Sequence, residues 1–572
     1  MAMLFRLVAV LAMFGLGVPA AAGEYTDYSR SSLYVPVRDG TRLAVNIYRP
    51  ANGNVVERRK LPVIFVFTPY RARYFDKDGL VREIALSDRL ALRSLIRAGY
   101  VVAVADIRGK GASFGHRRGF QDRTEARDGY DLVEWLARQD FSTGAVGMLG
   151  CSYLGGTTMH TATTAPPSLK AVFVGATDLD KYSFVRNGGI TAQFNTRPDE
   201  PLEVDLASVP VDADSDGAML RAAVAEHRAN TPMAPLWYSM PYRDSVSEFT
   251  GNAFWEEVAP YRYLDAIRQA GIATYFWSNW RDEPTGQAIL GAANLDGKFL
   301  AGPGNHCVPP ADFDFTGEVV RYFDHHLKGV ENGIDREPRA IYWVEGADTY
   351  ERSDQLPGIQ SRPVPFFLAT GGGGAVQSAN DGALGLAPPN LVGSDAFTVD
   401  YDLPSAEYFA FWPRPMDAHG LSYTTAPLDR DIKLVGFPVA RLTVRTSHPD
   451  ADLWVYLDRI DAEGEAEVVS FGRLKISHRK LSQAPFENLG LPYHSGLEAD
   501  IQPPDADEWV PVSISLTPLS RVVSAGTRLR FTVTGADPRQ RNLDDVKIDP
   551  PPVIAVRRGG LDASRLELPL AR

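Results

Sequence analysis

Cysteine is nearly absent: the 572-residue chain has two. That excludes a disulfide-built scaffold and a structural zinc site made of thiolates. Other metal signatures are missing as well, since there is no HExxH run and no cluster of Cys and His at ligand spacing. A glycine run at 371–374 follows a β-type segment and lacks the Lys-Ser/Thr ending of a phosphate-cradling loop, so neither a metal nor a nucleotide cofactor is implied. Basic charge is also short. With 59 Lys and Arg against 71 Asp and Glu the formal net charge is −12, which disfavours a nucleic-acid partner. The run Arg58-Arg59-Lys60 reads as a solvated face. Internal repeats and low-complexity tracts are lacking too. The N-terminal apolar run, Leu7 to Val18, is about twelve residues against the ~20 of a spanning helix, and no later run is long enough either.

That run is preceded by Arg6 and followed by Ala20-Ala21-Ala22, the build of a secretory signal peptide (residues 1–22) cut near Ala22. The mature chain is expected in an oxidising compartment, periplasmic or secreted, without a stable membrane span. A 44% apolar, 23% charged composition is that of an ordinary globular protein, and the length implies more than one domain, because single cores rarely grow past ~300 residues. Nothing in the sequence sets an oligomeric state.

From residue 60 to 330, buried-type strand runs alternate with helical patterns. The strands are IFVF (64–67), YVVAVAD (100–106), AVGML (145–149), AVFVGA (171–176), IATYFWS (272–278) and KFLAG (298–302). Helices are expected over Ser87–Ala98, with Gly99 as its stop, and over Gly129–Gln139. Such alternation implies a mostly parallel sheet covered on both faces. Between 179 and 261 strand signals vanish and polar helical segments such as GAMLRAAVAEHRAN (217–230) appear, which reads as a helical cap inserted into an α/β core at 23–178 and 262–345. Past 345, segments alternate apolar and polar, as in ARLTVRT (440–446), ADLWVYLD (451–458) and RLRFTVT (528–534), so residues 346–572 are expected to form an antiparallel β-sandwich.

Ser152 lies between the strand AVGML and a helical segment, in Gly150-Cys151-Ser152-Tyr153-Leu154-Gly155. A serine needs an adjacent base and a sharply turned, exposed position to act as a nucleophile. The generic elbow is Gly-x-Ser-x-Gly; here the second glycine falls one residue late. On an α/β-hydrolase fold the acid and then the histidine follow on loops after later strands. Asp282 follows IATYFWS and His306 follows KFLAG, so these three make a Ser-His-Asp triad, with Glu283 as the alternative acid. The pair His325-His326 falls on a helix and reads as structural. The backbone N–H of Tyr153 supplies one oxyanion donor, and Tyr70, on the loop after an early strand, is a candidate for the second or else an anchor of that loop. Trp237, Tyr238, Tyr242, Trp255 and Trp280 are candidates for an apolar acyl pocket, with ordinary core rings as the alternative.

The stretches RDGTRLAVNIYRP (38–50), TPY (68–70), DIRGKGASFG (106–115), DGYDLVEWLARQDFSTGAVGMLGCSYLGG (128–156), NWRDE (279–283), GPGNH (302–306) and FDHHLKGVENGI (323–334) resemble the cocaine-esterase-like (CocE/NonD) serine hydrolases. Relatives of that family are α-amino-acid ester hydrolases and Xaa-Pro dipeptidyl-peptidases. The late-glycine elbow is the family's form, and LVGFPVARLTV with the strands after it matches a C-terminal jelly roll more loosely. The resemblance implies Ser152, Asp282 and His306 as triad, Tyr70 and the Tyr153 amide as oxyanion hole, and an α/β-hydrolase core with helical cap and jelly roll. The expected activity is hydrolysis of small carboxylic esters, or of amides, through an acyl-enzyme.

One departure and two alternatives accompany it. The α-amino-acid ester hydrolases read an ammonium with carboxylates two and three residues after the acid. Here Pro284 and Thr285 carry no charge, which disfavours amino-acyl substrates. The cap run VDADSDG (211–217) offers aspartates that could hold an amine instead, making an amino-acyl esterase or a dipeptidyl-peptidase the runner-up. Asp212, Asp214, Asp216 and Gly217 also fit the start of an EF-hand loop, but position twelve would be Ala223, so an acidic helix cap is the expected role. From another class, a carbohydrate-binding jelly roll fused to an idle hydrolase domain stands as a third reading. Finally, a triad would carry Cys151 and Cys307 together. Export favours a disulfide between them over two buried thiols, an arrangement similar by convergence to that of fungal tannases and feruloyl esterases.

Overall fold

The computed structural model describes residues 24–571 except 192–198, 360, 375–376, 405, 408–409 and 541–542. The expected signal segment, 1–22, lies outside the described residues.

Ten strands form the main part of one sheet: β1 (Asp27–Pro36), β2 (Arg42–Asn52), β3 (Leu61–Thr68), β4 (Val101–Asp106), β5 (Ser142–Cys151), β6 (Leu169–Gly175), β7 (Ala273–Asn279), β8 (Lys298–Gly302), β9 (Ala340–Val344) and β10 (Thr349–Ser353). Their order is β1-β2-β4-β3-β5-β6-β7-β8-β9-β10, with Val55–Val56 pairing at the edge of β2. Strands β3 to β9 run parallel, whereas β1, β2 and β10 are antiparallel additions at the two edges. Every side chain of β4 is buried, as a strand covered on both faces requires. One face packs on α1 (Leu92–Arg97) through Leu92, Leu95 and Ile96 and on α5 (Phe315–Lys328) through Val319 and Phe323. The other packs on α2 (Arg123–Ala137) through Leu132 and Leu136, on α3 (Tyr153–Ala162) through Met159, and on α4 (Thr285–Leu295) through Ile289 and Ala292.

Two helices differ from expectation. Over 87–98 the chain makes a 3₁₀ turn, Asp88–Leu90, and then α1, because Ala91 takes a left-handed conformation at φ 55° between them. Helix α2 starts at Arg123, six residues before the expected Gly129, because Asp122 caps it by accepting from the Glu125 amide at 2.9 Å.

Register places the functional loops on one edge. Cys151 lies opposite Gly175, Gly175 opposite Trp277, and Asn279 opposite Gly302. The chain segments leaving β5, β7 and β8 therefore start side by side at the carboxyl ends of the strands, where open α/β sheets bind ligands. Between β6 and β7 come short helices (Lys181–Val185, Leu202–Leu206, Ala218–Glu226, Met233–Tyr238, Phe254–Glu257 and Leu264–Ala270) and a small ribbon of Arg186–Asn187 with Ile190–Thr191. The C-terminal strands, from Arg362–Thr370 to Arg565–Leu570, form a largely antiparallel β-sandwich with its own core. Leu529, Phe531 and Val533 point into that core, as their alternation predicts. The two sheets meet directly: the Glu345 amide donates to Ser520 O at 3.0 Å and the Val522 amide to Glu345 O at 2.8 Å.

Candidate active site

Ser152 joins β5 to α3 at φ 61°, ψ −129°, a strained conformation for a residue with a side chain. Two close approaches explain the glycines around it. A Cβ on Gly150 would stand 2.3 Å from Leu154 backbone atoms, and one on Gly155 would stand 2.4 Å from Gly175 O of β6. The second glycine is late because the tight contact of α3 with β6 falls at Gly155, while Leu154 is free to fill the core with its side chain.

The acid loop and the histidine loop are zipped together. The Trp280 amide donates to Gly302 O (3.1 Å), the Arg281 amide to Gly304 O (3.2 Å), and Asn279 Nδ2 to Asn305 O (2.7 Å) and Val308 O (2.8 Å). This brings Asp282, 1% exposed, to His306, whose Nδ1 lies 3.0 Å and 3.1 Å from the two carboxylate oxygens. Burial opposes the charged imidazolium, but the Asp282 carboxylate outweighs it, and the His306 pKa is raised above its ordinary value. Glu283 points elsewhere, its Oε1 2.7 Å from Arg473 Nη2 of the sandwich, so Asp282 rather than Glu283 partners the histidine. A disulfide joins Cys151 to Cys307 with Cα atoms 5.8 Å apart, tying the elbow to the residue after His306.

Ser152, Asp282, His306, Tyr70 and Tyr153 line one cavity of about 550 Å³. Tyr153 is the first residue of α3; its phenol donates to Glu125 Oε2 at 2.8 Å and its carbonyl accepts from Gln121 Nε2 at 3.0 Å. Burial pushes the Glu125 carboxyl up to about 8 despite that phenol bond. The Tyr70 ring is partly exposed and meets the Tyr153 ring edge-on at 6.4 Å. Its loop is held by the Asp106 carboxylate at the end of β4, which accepts from the Ala72 amide at 2.6 Å.

Of the five aromatic candidates, Trp237 lines the cavity. Trp255 lies behind it, stacked at 5.0 Å with its indole N–H on Met240 O. Trp280 is a core residue bonded to Trp343 O at 2.7 Å, and Tyr238 and Tyr242 are not in the cavity wall. Phe120, Phe184, Met233 and Phe411 are the apolar lining instead; the Phe411 ring lies 4.9 Å from His306. Lys181, 1% exposed, bonds Asp178 Oδ1 (2.7 Å) and Gln121 Oε1 (2.6 Å) in the same wall. Asp178-x-x-Lys181 follows directly on a strand's carboxyl end, and that position is the signal that could have found it.

One VDADSDG aspartate ties the cap to β1, and the other two serve the cap's own backbone. Asp212 holds Arg30 (2.8 Å) and the Ser32 amide (2.7 Å), and Asp214 and Asp216 accept from the amides of Leu220 (2.8 Å) and Ala218 (3.0 Å) at the start of the next helix. None of the three lines the cavity. Thr285 is buried and caps the acid loop through Asp282 O, at 2.7 Å, and Asn279 O. His325 and His326 lie on α5, away from the cavity.

A strand order running 1-2-4-3-5 onward, a nucleophile-type elbow after β5, and an acid and a histidine after β7 and β8 define an α/β hydrolase. The model of X-Pro dipeptidyl-peptidase (S15 family) matches residues 39–308, and that of the X-Pro dipeptidyl-peptidase C-terminal non-catalytic domain matches 332–543. The chain is 27% identical to a Mycobacterium bovis protein named as a serine esterase, over 96% of this chain and 97% of that one. It is 26% identical to the cocaine esterase of a Rhodococcus species, over 79% of this chain and 83% of that one. A CocE/NonD family hydrolase from Staphylococcus aureus has the same fold, with a TM-score of 0.72 at 20% identity over 95% of this chain and 94% of that one. The chain belongs to the X-Pro dipeptidyl-peptidase (S15) family, whose two models together span most of its length, and it is a serine hydrolase.

Proposed function

We propose that the protein is an exported esterase that cleaves uncharged carboxylic esters through an acyl-enzyme. Ser152 attacks the carbonyl, His306 takes its proton and returns it to the leaving alcohol, and Asp282 holds the histidine tautomer and stabilises the imidazolium. The Tyr153 amide and the Tyr70 phenol hold the oxyanion. The observation that carries the reading is the His306–Asp282 pair set beside the strained Ser152 in one cavity. The Cys151–Cys307 bond supports an oxidising compartment, and among the described residues no helix is long and apolar enough to cross a membrane.

The preference for uncharged substrates rests on how the cavity's carboxylates are committed. Asp178 pairs with Lys181 (2.7 Å), Glu200 with Lys110 (3.0 Å), Glu283 with Arg473 (2.7 Å) and Asp199 with Arg117 (3.8 Å). An ammonium group entering this wall would compete with a resident cation for each anion, so burying it brings little return for its lost hydration. The test is hydrolysis of a neutral acyl ester, an α-amino-acyl ester and a Xaa-Pro anilide, with Ser152→Ala as control. The neutral ester is expected to have the highest kcat/KM, and the variant to lose at least about 10⁴-fold in kcat. Only neutral His306 can accept the proton. Its raised pKa therefore puts the acid limb of kcat/KM against pH above the ordinary imidazole value of about 6.5. Turnover of amine-bearing substrates alone would overturn the ester reading in favour of a peptidase, and glycan binding without turnover would overturn both.

A further inference from the structure

Asp282 sits between two residues that both reach into the sandwich. On one side Arg281 Nη2 bonds Glu467 Oε1, and Arg281 Nε lies 3.5 Å from Glu345 Oε1. Arg521, 8% exposed in its side chain, closes that network by holding Glu345 Oε2 at 2.8 Å and Glu467 Oε2 at 2.9 Å. On the other side Glu283 Oε1 is 2.7 Å from Nη2 of Arg473, whose side chain is 3% exposed. Glu467 and Arg473 both belong to the sandwich strand Ala466–Lys475, so a single strand grips the chain on either side of the acid. The Glu283–Arg473 pair and Arg521 are shielded from bulk water, where opposed charges hold geometry better than at the surface. Arg281 and Glu467 are 33% and 26% exposed and are held in place by the buried Arg521.

We propose that Glu467 and Arg473 are positioning residues for the reaction, fixing Asp282 against His306 by clamping its two chain neighbours. The inference rests on the triad reading above. The zipper between the acid loop and the histidine loop holds the two backbones together, and the clamp sets the pitch of the Asp282 side chain from outside. Asp282 is the charge that acts on His306 among the described residues, and Phe411 covers the ring. A loosened Asp282 therefore reaches the histidine's protonation directly. Misplacing an orienting group by a fraction of an ångström lowers turnover while leaving the apolar contacts that bind substrate in place.

The experiment uses the full chain with Arg473→Met, which breaks the Glu283 pair, and Glu467→Gln, which breaks the Arg281 network, so that misfolding of one variant leaves the other. Lys433→Met is the control. It removes another ion pair between the sandwich and the catalytic sheet, Lys433 Nζ to Glu351 Oε2 of β10 at 2.5 Å, which does not flank the acid. Each protein is read by ester kinetics and by NMR titration of the His306 ring, which needs no turnover. Arg473→Met and Glu467→Gln are expected to lower kcat about tenfold with KM within about twofold. They should also move the His306 midpoint down toward about 6.5, and Glu467→Asp should recover part of both. The control should change neither. Unchanged kcat and titration in both clamp variants, or equal changes in the control, would overturn the clamp while Ser152-dependent turnover left the esterase reading standing. A shifted titration in a protein without Ser152-dependent turnover would do the reverse.

Discussion

At the scale of single residues, the elbow shows how one missing methyl group sets a motif. The contact between α3 and β6 is closest at Gly155, 2.4 Å from Gly175 O for an added Cβ, and this is backbone that cannot rotate away. Gly155→Ala must therefore push α3 off the sheet and carry Ser152 with it. It is expected to cost about 1–3 kcal/mol, as overpacking does, and to lower kcat by far more than an alanine at an exposed helix position. Chemical unfolding and ester kinetics on the same preparation check both. The residue types at this site are legible because Ser152, Asp282 and His306 each stand within a few residues of the end of an apolar strand run. The pocket rings were not legible. Trp237 and Trp255 share one helical cap and stack on each other, and only the packing decides that Trp237 faces the cavity. Phe411 comes from a sandwich loop more than a hundred residues after His306, a proximity that no local pattern carries.

At the scale of elements, the disulfide connects the end of β5 to the loop after β8, two strands of one sheet with β6 and β7 between them. It closes a segment with a sequence separation of 156, for which loop-entropy arithmetic sets a ceiling of ~5 kcal/mol. The double variant Cys151→Ala/Cys307→Ser is expected to unfold at lower denaturant, by about 2–5 kcal/mol. Its kcat should fall as the histidine loop gains freedom relative to the elbow. An unchanged midpoint together with unchanged kcat would show that the zipper of Asn279 and the backbone bonds suffices alone. Buried strands such as β4 and β8 were readable from apolar runs, and their ends agree with the sequence to within a residue. The edge strands were harder. In β1 five of the ten residues are polar, with Asp27, Ser29 and Ser31 exposed, and no residue of β10 is fully buried. So β1 and β10 become strands by pairing rather than by pattern, whereas β9 is a short apolar run with every side chain buried. Helix α2 started early for a reason present in the sequence, Asp122 followed three residues later by Glu125.

At the scale of the molecule, the sandwich and the catalytic sheet share hydrophobic core. Leu356 and Val435 are buried in the cluster that contains Trp343, Val344 and the residues of α4, and Phe437 and Val522 pack against it. The strand Leu519–Val523 hydrogen-bonds to Glu345 just past β9, so the boundary between the units is continued by backbone bonds as well as by side chains. Cutting the chain after residue 355, just past β10, would strip the apolar cover from Trp343 and Tyr342, and leave Glu345 and Arg281 without Arg521 and Glu467. Inter-domain faces of separable domains are more polar than this and tolerate separation. The fragment 24–355 is therefore expected to be insoluble or to bind ANS with a lost near-UV signal, and to show no hydrolysis that depends on Ser152. Co-expression with 356–571 should restore soluble, active protein if the shared core is the cause. A fragment that stays soluble, cooperative in unfolding and active on a short ester would show instead that the hydrolase sheet completes its core alone, leaving the sandwich as a wall for the substrate.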